Sequence, residues 1–125
     1  MAPGATLASR AEGRFFASQA ADDAYYQLGT ADLRRAFPPP HVDRTLITDC
    51  TSQAASTWLW AGDVLGDTAL AELGGRAIDD AVVRSYRPGE GVAHHVDEHA
   101  GVRGLLTDQV HAAAALVDLH EATAN

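Results

Sequence analysis

Histidine and acidic side chains are concentrated in residues 84–99, which read RSYRPGEGVAHHVDEH. Within this stretch, His95 and Asp97 are two positions apart. If the backbone is extended, residues two apart point to the same face, so the imidazole and the carboxylate would converge. A further histidine would complete the two-imidazole, one-carboxylate set that holds iron(II) with open coordination positions. The spacing therefore indicates a metal site that contains His95 and Asp97.

A helical backbone over the same residues would select different ligands. His95 and His99 would then lie on one helical face, four residues apart, and Asp97 would point away. That pair suits zinc as well as iron. The candidate metal ligands are therefore His95, Asp97 and His99, and the conformation of residues 92–97 decides which of them act together. In a third interpretation these side chains form only a solvated turn and a helix start, where the helix dipole favours acidic residues.

The run from Tyr86 to Asp97 resembles the start of the iron site in the iron(II)/2-oxoglutarate-dependent dioxygenases, most closely in their alkylation-repair branch. The shared features are a tyrosine, a Pro-Gly turn, an apolar residue and then His-x-Asp. The resemblance implies an oxidoreductase that uses iron(II) and 2-oxoglutarate. It also implies that His95 and Asp97 bind the iron and that Tyr86 lines the cofactor or substrate pocket.

The C-terminal part of the chain departs from that family. The family fold is a double-stranded β-helix, in which later strands carry a third ligand and an arginine for 2-oxoglutarate. Here Arg103 is the one arginine after Asp97, and it is too close in sequence to match. The resemblance therefore implies a C-terminally shortened relative, or a site completed by oligomerisation.

Residues 105–122 have the clearest periodicity in the chain. Leu106, Val110, Ala113 and Val117 recur at spacings of four, three and four, which predicts an amphipathic helix. The stripe is lined largely by alanine, so a second helix could approach it closely. An alternative function is therefore that of a non-catalytic acidic protein that self-associates, as a homodimer or larger homo-oligomer, through residues 105–122.

The other patterns predict N-terminal helices and short central strands. Helices are expected over 18–28, 31–37 and 67–75, strands over 45–51 and 81–88, and a hairpin turn over 88–91. Residues 51–66 fit either a helix or a strand. The expected class is α+β, with residues 1–13 flexible and 14–125 forming a single small domain. An all-α bundle is the alternative if 51–65 and 67–86 are helical throughout.

The charge and composition of the chain argue against some classes of binding partner. The net charge is −8, which argues against binding to a nucleic-acid backbone. All nine basic side chains are arginine, which with the many alanines is typical of a GC-rich bacterial genome. No apolar run approaches the ~20 residues that cross a bilayer, so we expect no membrane association. Cys50 is the one cysteine, and we expect it to be buried and reduced in a cytoplasmic protein.

Overall fold

The computed structural model describes residues 8–9, 14–99 and 101–124. The helices are α1 (Asp23–Tyr26), α2 (Ala31–Ala36), α3 (Thr48–Leu65), α4 (Thr68–Ser85) and α5 (Leu106–Thr123). The strands are β1 (Ala8–Ser9), β2 (Arg14–Phe15), β3 (Ser18–Ala20), β4 (His41–Asp43), β5 (Leu46–Ile47), β6 (Tyr86–Arg87), β7 (Gly91–Val92) and β8 (His95–Val96). The predicted α+β class is confirmed. Apart from β1, which pairs with β2, the predicted flexible segment 1–13 lies outside the described residues.

The three long helices form the body of the molecule. Helices α3 and α4 form a helical hairpin, and α5 packs mainly on α3. The turn between α3 and α4 is made by Gly66, whose φ of 64° is readily adopted only by glycine. Asp67 then begins α4 by accepting hydrogen bonds from two backbone amides of its first turn. None of the helices in the described part of the chain is long and apolar enough to cross a membrane.

Glycines let α3 and α4 approach each other closely. A Cβ atom at Gly62 would lie 2.7 Å from the backbone nitrogen of Ala71. One at Gly74 would lie 2.8 Å from the carbonyl oxygen of Ala55. Larger side chains at these two positions would force the helices apart, and overpacking of this kind is destabilising. The adjoining core is small in volume, and its buried members are Ala55, Ala77, Ile78 and Ala115.

The strands occur as four antiparallel pairs within the described residues, namely β1–β2, β3–β4, β5–β8 and β6–β7. The predicted hairpin turn is confirmed, because Tyr86 pairs with Val92 and Arg87 with Gly91. Gly89 and Gly91 have φ values of 80° and 73°, which explains the glycines of this turn. The hairpin leads directly into the segment that carries His94 and His95.

Several predicted boundaries are wrong. Residues 18–28 contain β3 and the short α1, which is capped by Asp22, because that side chain accepts a hydrogen bond from the amide of Tyr25. In the predicted strand 45–51, only Leu46–Ile47 is extended, and α3 begins at Thr48. The predicted short helix 67–75 continues to Ser85. Gly74 faces α3 and Gly75 faces Leu119 of α5 instead of ending the helix. Most of the predicted strand 81–88 is therefore helical.

The C-terminal helix is confirmed, and its predicted apolar stripe faces away from the core. Leu106, Val110 and Val117 are 77%, 51% and 56% exposed. The buried positions of α5 are Asp108, Ala112 and Ala115. Alanines on this face allow α5 to lie close to α3, while the larger apolar side chains remain without a partner in the described structure.

Candidate metal centre

The backbone of His94 is held between two neighbouring segments. Its carbonyl oxygen accepts a hydrogen bond of 2.8 Å from the amide of Thr48, where α3 begins. Its amide donates a hydrogen bond of 2.7 Å to the carbonyl of Val102. The hydroxyl of Thr48 also donates to the carbonyl of Ala93. These bonds fix the position from which the imidazole of His94 projects.

The imidazole of His94 meets a buried carboxylate. Asp108 lies in the first turn of α5 and is 0% exposed. Its two carboxylate oxygens lie 3.0 Å and 3.2 Å from Nδ1 of His94. A buried carboxylate is costly without a hydrogen-bond partner, and His94 supplies one. Because the side chain of His94 is 37% exposed, its ring connects the buried acid to the surface.

A second carboxylate completes a group of three donors. Asp49 lies in the first turn of α3 and accepts a hydrogen bond of 2.7 Å from the amide of Cys50. One ligand atom from each of Asp49, His94 and Asp108 lies within 4.8 Å of the other two. Both acids stand at helix N-termini, where the helix dipole favours a negative charge. Among the described residues, these three are therefore placed to share one cation.

The thiol of Cys50 lies in the same helical turn as Asp49, and its pKa is raised. Partial removal from water raises the pKa of Cys50, and a hydrogen bond to the Asp49 carboxylate raises it further. The negative charges of Asp49 and Asp108 act in the same direction. Cys50 is exposed, so the prediction that it is buried is wrong. It lies in the first turn of α3, directly after Asp49.

A side-chain amide joins the two segments that carry His94 and Asp108. Gln109 donates from Nε2 to the carbonyl of Val92 at 3.0 Å. The amide of Val92 donates back to Oε1 of Gln109 at 2.9 Å. A Cβ atom at Gly91 would collide with the side chain of Gln109, so glycine is needed there. Gln109 thus positions the loop of His94 against the first turn of α5.

The predicted ligands His95, Asp97 and His99 lie beside this cluster. Residues 92–97 contain extended pairs and no helix. His95 is half-buried on β8, whereas Asp97 and His99 are exposed. The Asp97 carboxylate accepts a hydrogen bond of 2.8 Å from the amide of His99, which lowers the pKa of Asp97. These three do not form a second three-donor group within 4.8 Å among the described residues.

The other residues named by the family resemblance have separate surroundings. Tyr86 lies on β6 and is 51% exposed. Arg103 donates to the carbonyls of Ser85 and Gly91 at 2.7 Å and 2.8 Å. Its guanidinium also lies 3.3 Å from the carboxylate of Glu90. Arg103 therefore braces the β6–β7 hairpin.

Sequence reasoning missed Asp49 and Asp108 because both lie outside the histidine-rich segment 84–99. One signal was present. Each of these aspartates directly follows a threonine, at Thr48 and at Thr107, and each Thr-Asp pair opens a long helix. Two acids in the first turns of two helices that pack together can meet at one end of the bundle. Predicting that Asp49 and Asp108 meet requires knowing that α3 packs against α5, and the local sequence does not provide that information.

A scan against protein-family models finds no match for this chain, and a search of the curated proteins finds none either. The case for a function therefore depends on the geometry and charge of the cluster formed by Asp49, His94 and Asp108. Its donors are one imidazole nitrogen and carboxylate oxygens. This is a mixed set, intermediate between an all-oxygen site and a site of imidazoles or thiolates.

Proposed function

We propose that the protein binds one divalent metal ion through Asp49, His94 and Asp108. The observation that carries the proposal is the convergence of their ligand atoms within 4.8 Å from three separate segments. Carboxylates suit magnesium, calcium and manganese, whereas imidazole suits zinc, iron, copper and nickel. A set with both kinds of donor favours manganese(II), iron(II) or zinc(II).

Charge supports a cation at this position. Two carboxylates held close together repel each other, and an ion between them would offset that repulsion. Asp108 is fully buried, so its charge is poorly screened by water. The backbone bonds of His94 and the amide of Gln109 hold the donors before any ion arrives. Little ordering is then needed on binding, which favours affinity.

The oxygenase hypothesis is a competing proposal, in which His95 and Asp97 hold iron(II) and 2-oxoglutarate is a co-substrate. The donor set of our proposed centre differs from the family pattern, since it has one histidine and two carboxylates where the family has two histidines and one. Arg103 already binds backbone carbonyls. Consumption of 2-oxoglutarate by the iron-loaded protein tests the hypothesis, and no consumption with bound iron would reject it. We also propose a cytoplasmic location, where Cys50 would stay reduced.

The direct test is calorimetric titration with Zn²⁺, Mn²⁺ and, without oxygen, Fe²⁺. We expect one ion per chain for at least one of these metals. Asp108→Asn should weaken binding by about a hundredfold or more, because it removes a ligand charge at a buried site. Asp79→Asn, at an exposed acid on α4, is the matched control and should bind normally. Failure of all three metals to bind stoichiometrically would reject the proposal.

A second candidate function is self-association through α5, and the exposure of Leu106, Val110 and Val117 favours it. Contiguous apolar surface of this kind often marks an interface. The expected result is a dimer or larger homo-oligomer in sedimentation, which Val110→Glu or Val117→Glu dissociates. A monomer whose mass is unchanged by either substitution would reject it.

A further inference from the structure

A cleft of about 930 Å³ lies at the end of the bundle away from the metal cluster. Its walls come from the second half of α3, the start of α4 and the last turns of α5. Its volume is within the ~300–1,000 Å³ typical of small-molecule sites. Along α3, Asp63 in the cleft is about 20 Å from Asp49 at a rise of 1.5 Å per residue. The two sites are therefore physically separate.

The charge of the cleft is uniformly negative. Its charged lining residues are Asp63, Asp118 and Glu121, and no basic side chain of the described residues lines it. Helices α3 and α5 both end beside it, at Leu65 and Thr123. The C-terminus of a helix carries partial negative charge, so these two ends add to the field of the carboxylates. Such a cleft attracts cations and repels anions.

The indole ring of Trp60 in the same cleft favours organic cations over metal ions. Trp60 lines the cleft and is 68% exposed, which is unusual for the largest apolar side chain. Indole is the best aromatic partner for an ammonium group placed over its ring. A bare metal ion could be bound by the carboxylates, but it would leave the indole of Trp60 without a contact. A neutral sugar could stack on Trp60 but would leave the three acids without a counter-charge.

We propose that this cleft binds an organic ammonium compound, with its cationic nitrogens beside Asp63, Asp118 and Glu121 and its alkyl part on Trp60. This proposal is independent of the metal centre. The test is calorimetric titration of the whole chain with spermidine, followed in parallel by tryptophan fluorescence. We expect saturable binding and a change in tryptophan emission that is lost in Trp60→Leu, which retains Trp58.

Two variants, one single and one double, test the two parts of the recognition. Trp60→Leu should weaken spermidine binding by about tenfold, as expected for a cation–π contact. Asp118→Asn combined with Glu121→Gln should weaken it further and reduce its salt dependence. Asp49→Asn, at the metal centre, is the control and should leave spermidine binding unchanged. All these side chains except Asp118 and Asp49 are exposed, and circular dichroism checks that each variant is folded.

Three results would overturn the proposal. The first is no saturable binding of spermidine. The second is equal binding by the wild type and Trp60→Leu, which would mean diffuse attraction to an acidic protein. The third is tighter binding of glucose than of spermidine, which would make the cleft a carbohydrate site.

Discussion

Two groups of histidine and aspartate adjoin at His94 and His95 and are assembled in different ways. His95, Asp97 and His99 are neighbours in sequence, and the hydrogen bond between Asp97 and His99 is local. The other group takes Asp49 from α3, His94 from an extended loop and Asp108 from α5. Asp97 is exposed, whereas Asp108 is fully buried. The group that is contiguous in sequence thus has a half-buried His95 and an exposed Asp97 and His99, whereas the packing of distant segments brings three ligand atoms together.

The difference has a physical basis. Spacing of two along a strand determines which side chains share a face, but it does not determine what that face meets. A ligand set also needs rigid surroundings that hold its donors together, and these come from tertiary contacts. His94 has them through Thr48 and Val102 on its backbone and Asp108 on its ring. Substituting one member of each group tests whether only the group of distant residues binds metal.

The largest expected difference is between neighbouring histidines. His94→Ala should weaken metal binding by at least about a hundredfold, since it removes a ligand and leaves Asp108 buried without its partner. His95→Ala should leave metal affinity nearly unchanged. Calorimetry with Zn²⁺ or Mn²⁺ measures both variants. If His95→Ala abolished binding and His94→Ala did not, the oxygenase-like assignment would replace ours.

A smaller effect is expected at Gln109, which touches no metal in our proposal. Gln109→Leu removes two hydrogen bonds to the backbone of Val92, so the loop of His94 loses its attachment to α5. Metal affinity should fall about 10- to 100-fold, as is typical for residues that orient ligands. Stability should fall by about 1–3 kcal/mol, because the groups of Val92 lose their partners.

Gln109→Glu separates positioning from general destabilisation. Its carboxylate still accepts from the amide of Val92 but cannot donate to the Val92 carbonyl when ionised. Metal affinity should lie between those of the wild type and Gln109→Leu. Chemical denaturation and calorimetry on the same samples give both quantities. Wild-type affinity in a destabilised Gln109→Leu would show that Gln109 has no role in positioning His94.

How far the sequence predicts the structure depends on the range of the contacts involved. Helix α5 follows from its local period, and the turn before β7 follows from Pro88 and its glycines. The length of α4 does not follow, since Gly74 reads as a helix end unless the close approach of α3 is known. Likewise, the motif points to the segment that contains His94, but the grouping of His94 with Asp49 and Asp108 depends on how α3 and α5 pack.

The smallest expected effect concerns the titration of Asp97. The amide of His99 donates to its carboxylate, so its pKa should lie below the usual value for aspartate. The folded loop therefore favours the ionised form, and this contribution is present above the unfolded pKa and is lost as pH falls through the folded pKa. Carbon-13 NMR of the carboxyl group measures the titration directly.

Substitutions of His99 and addition of metal show whether the pKa of Asp97 is set by the hydrogen bond within the loop or by a bound ion. His99→Pro removes the donating amide, so the pKa of Asp97 should rise toward its usual value, while His99→Ala keeps the amide and the low pKa. Zn²⁺ at saturation should leave the Asp97 titration unchanged in the wild type, because in our proposal the ion would be bound by Asp49, His94 and Asp108. A carboxylate that ligates zinc competes with protons for the ion, so its titration would move to lower pH on metal addition. Such a shift at Asp97 would show that the metal is bound by the group of His95, Asp97 and His99. The structural difference between the two groups would then not determine which of them binds metal.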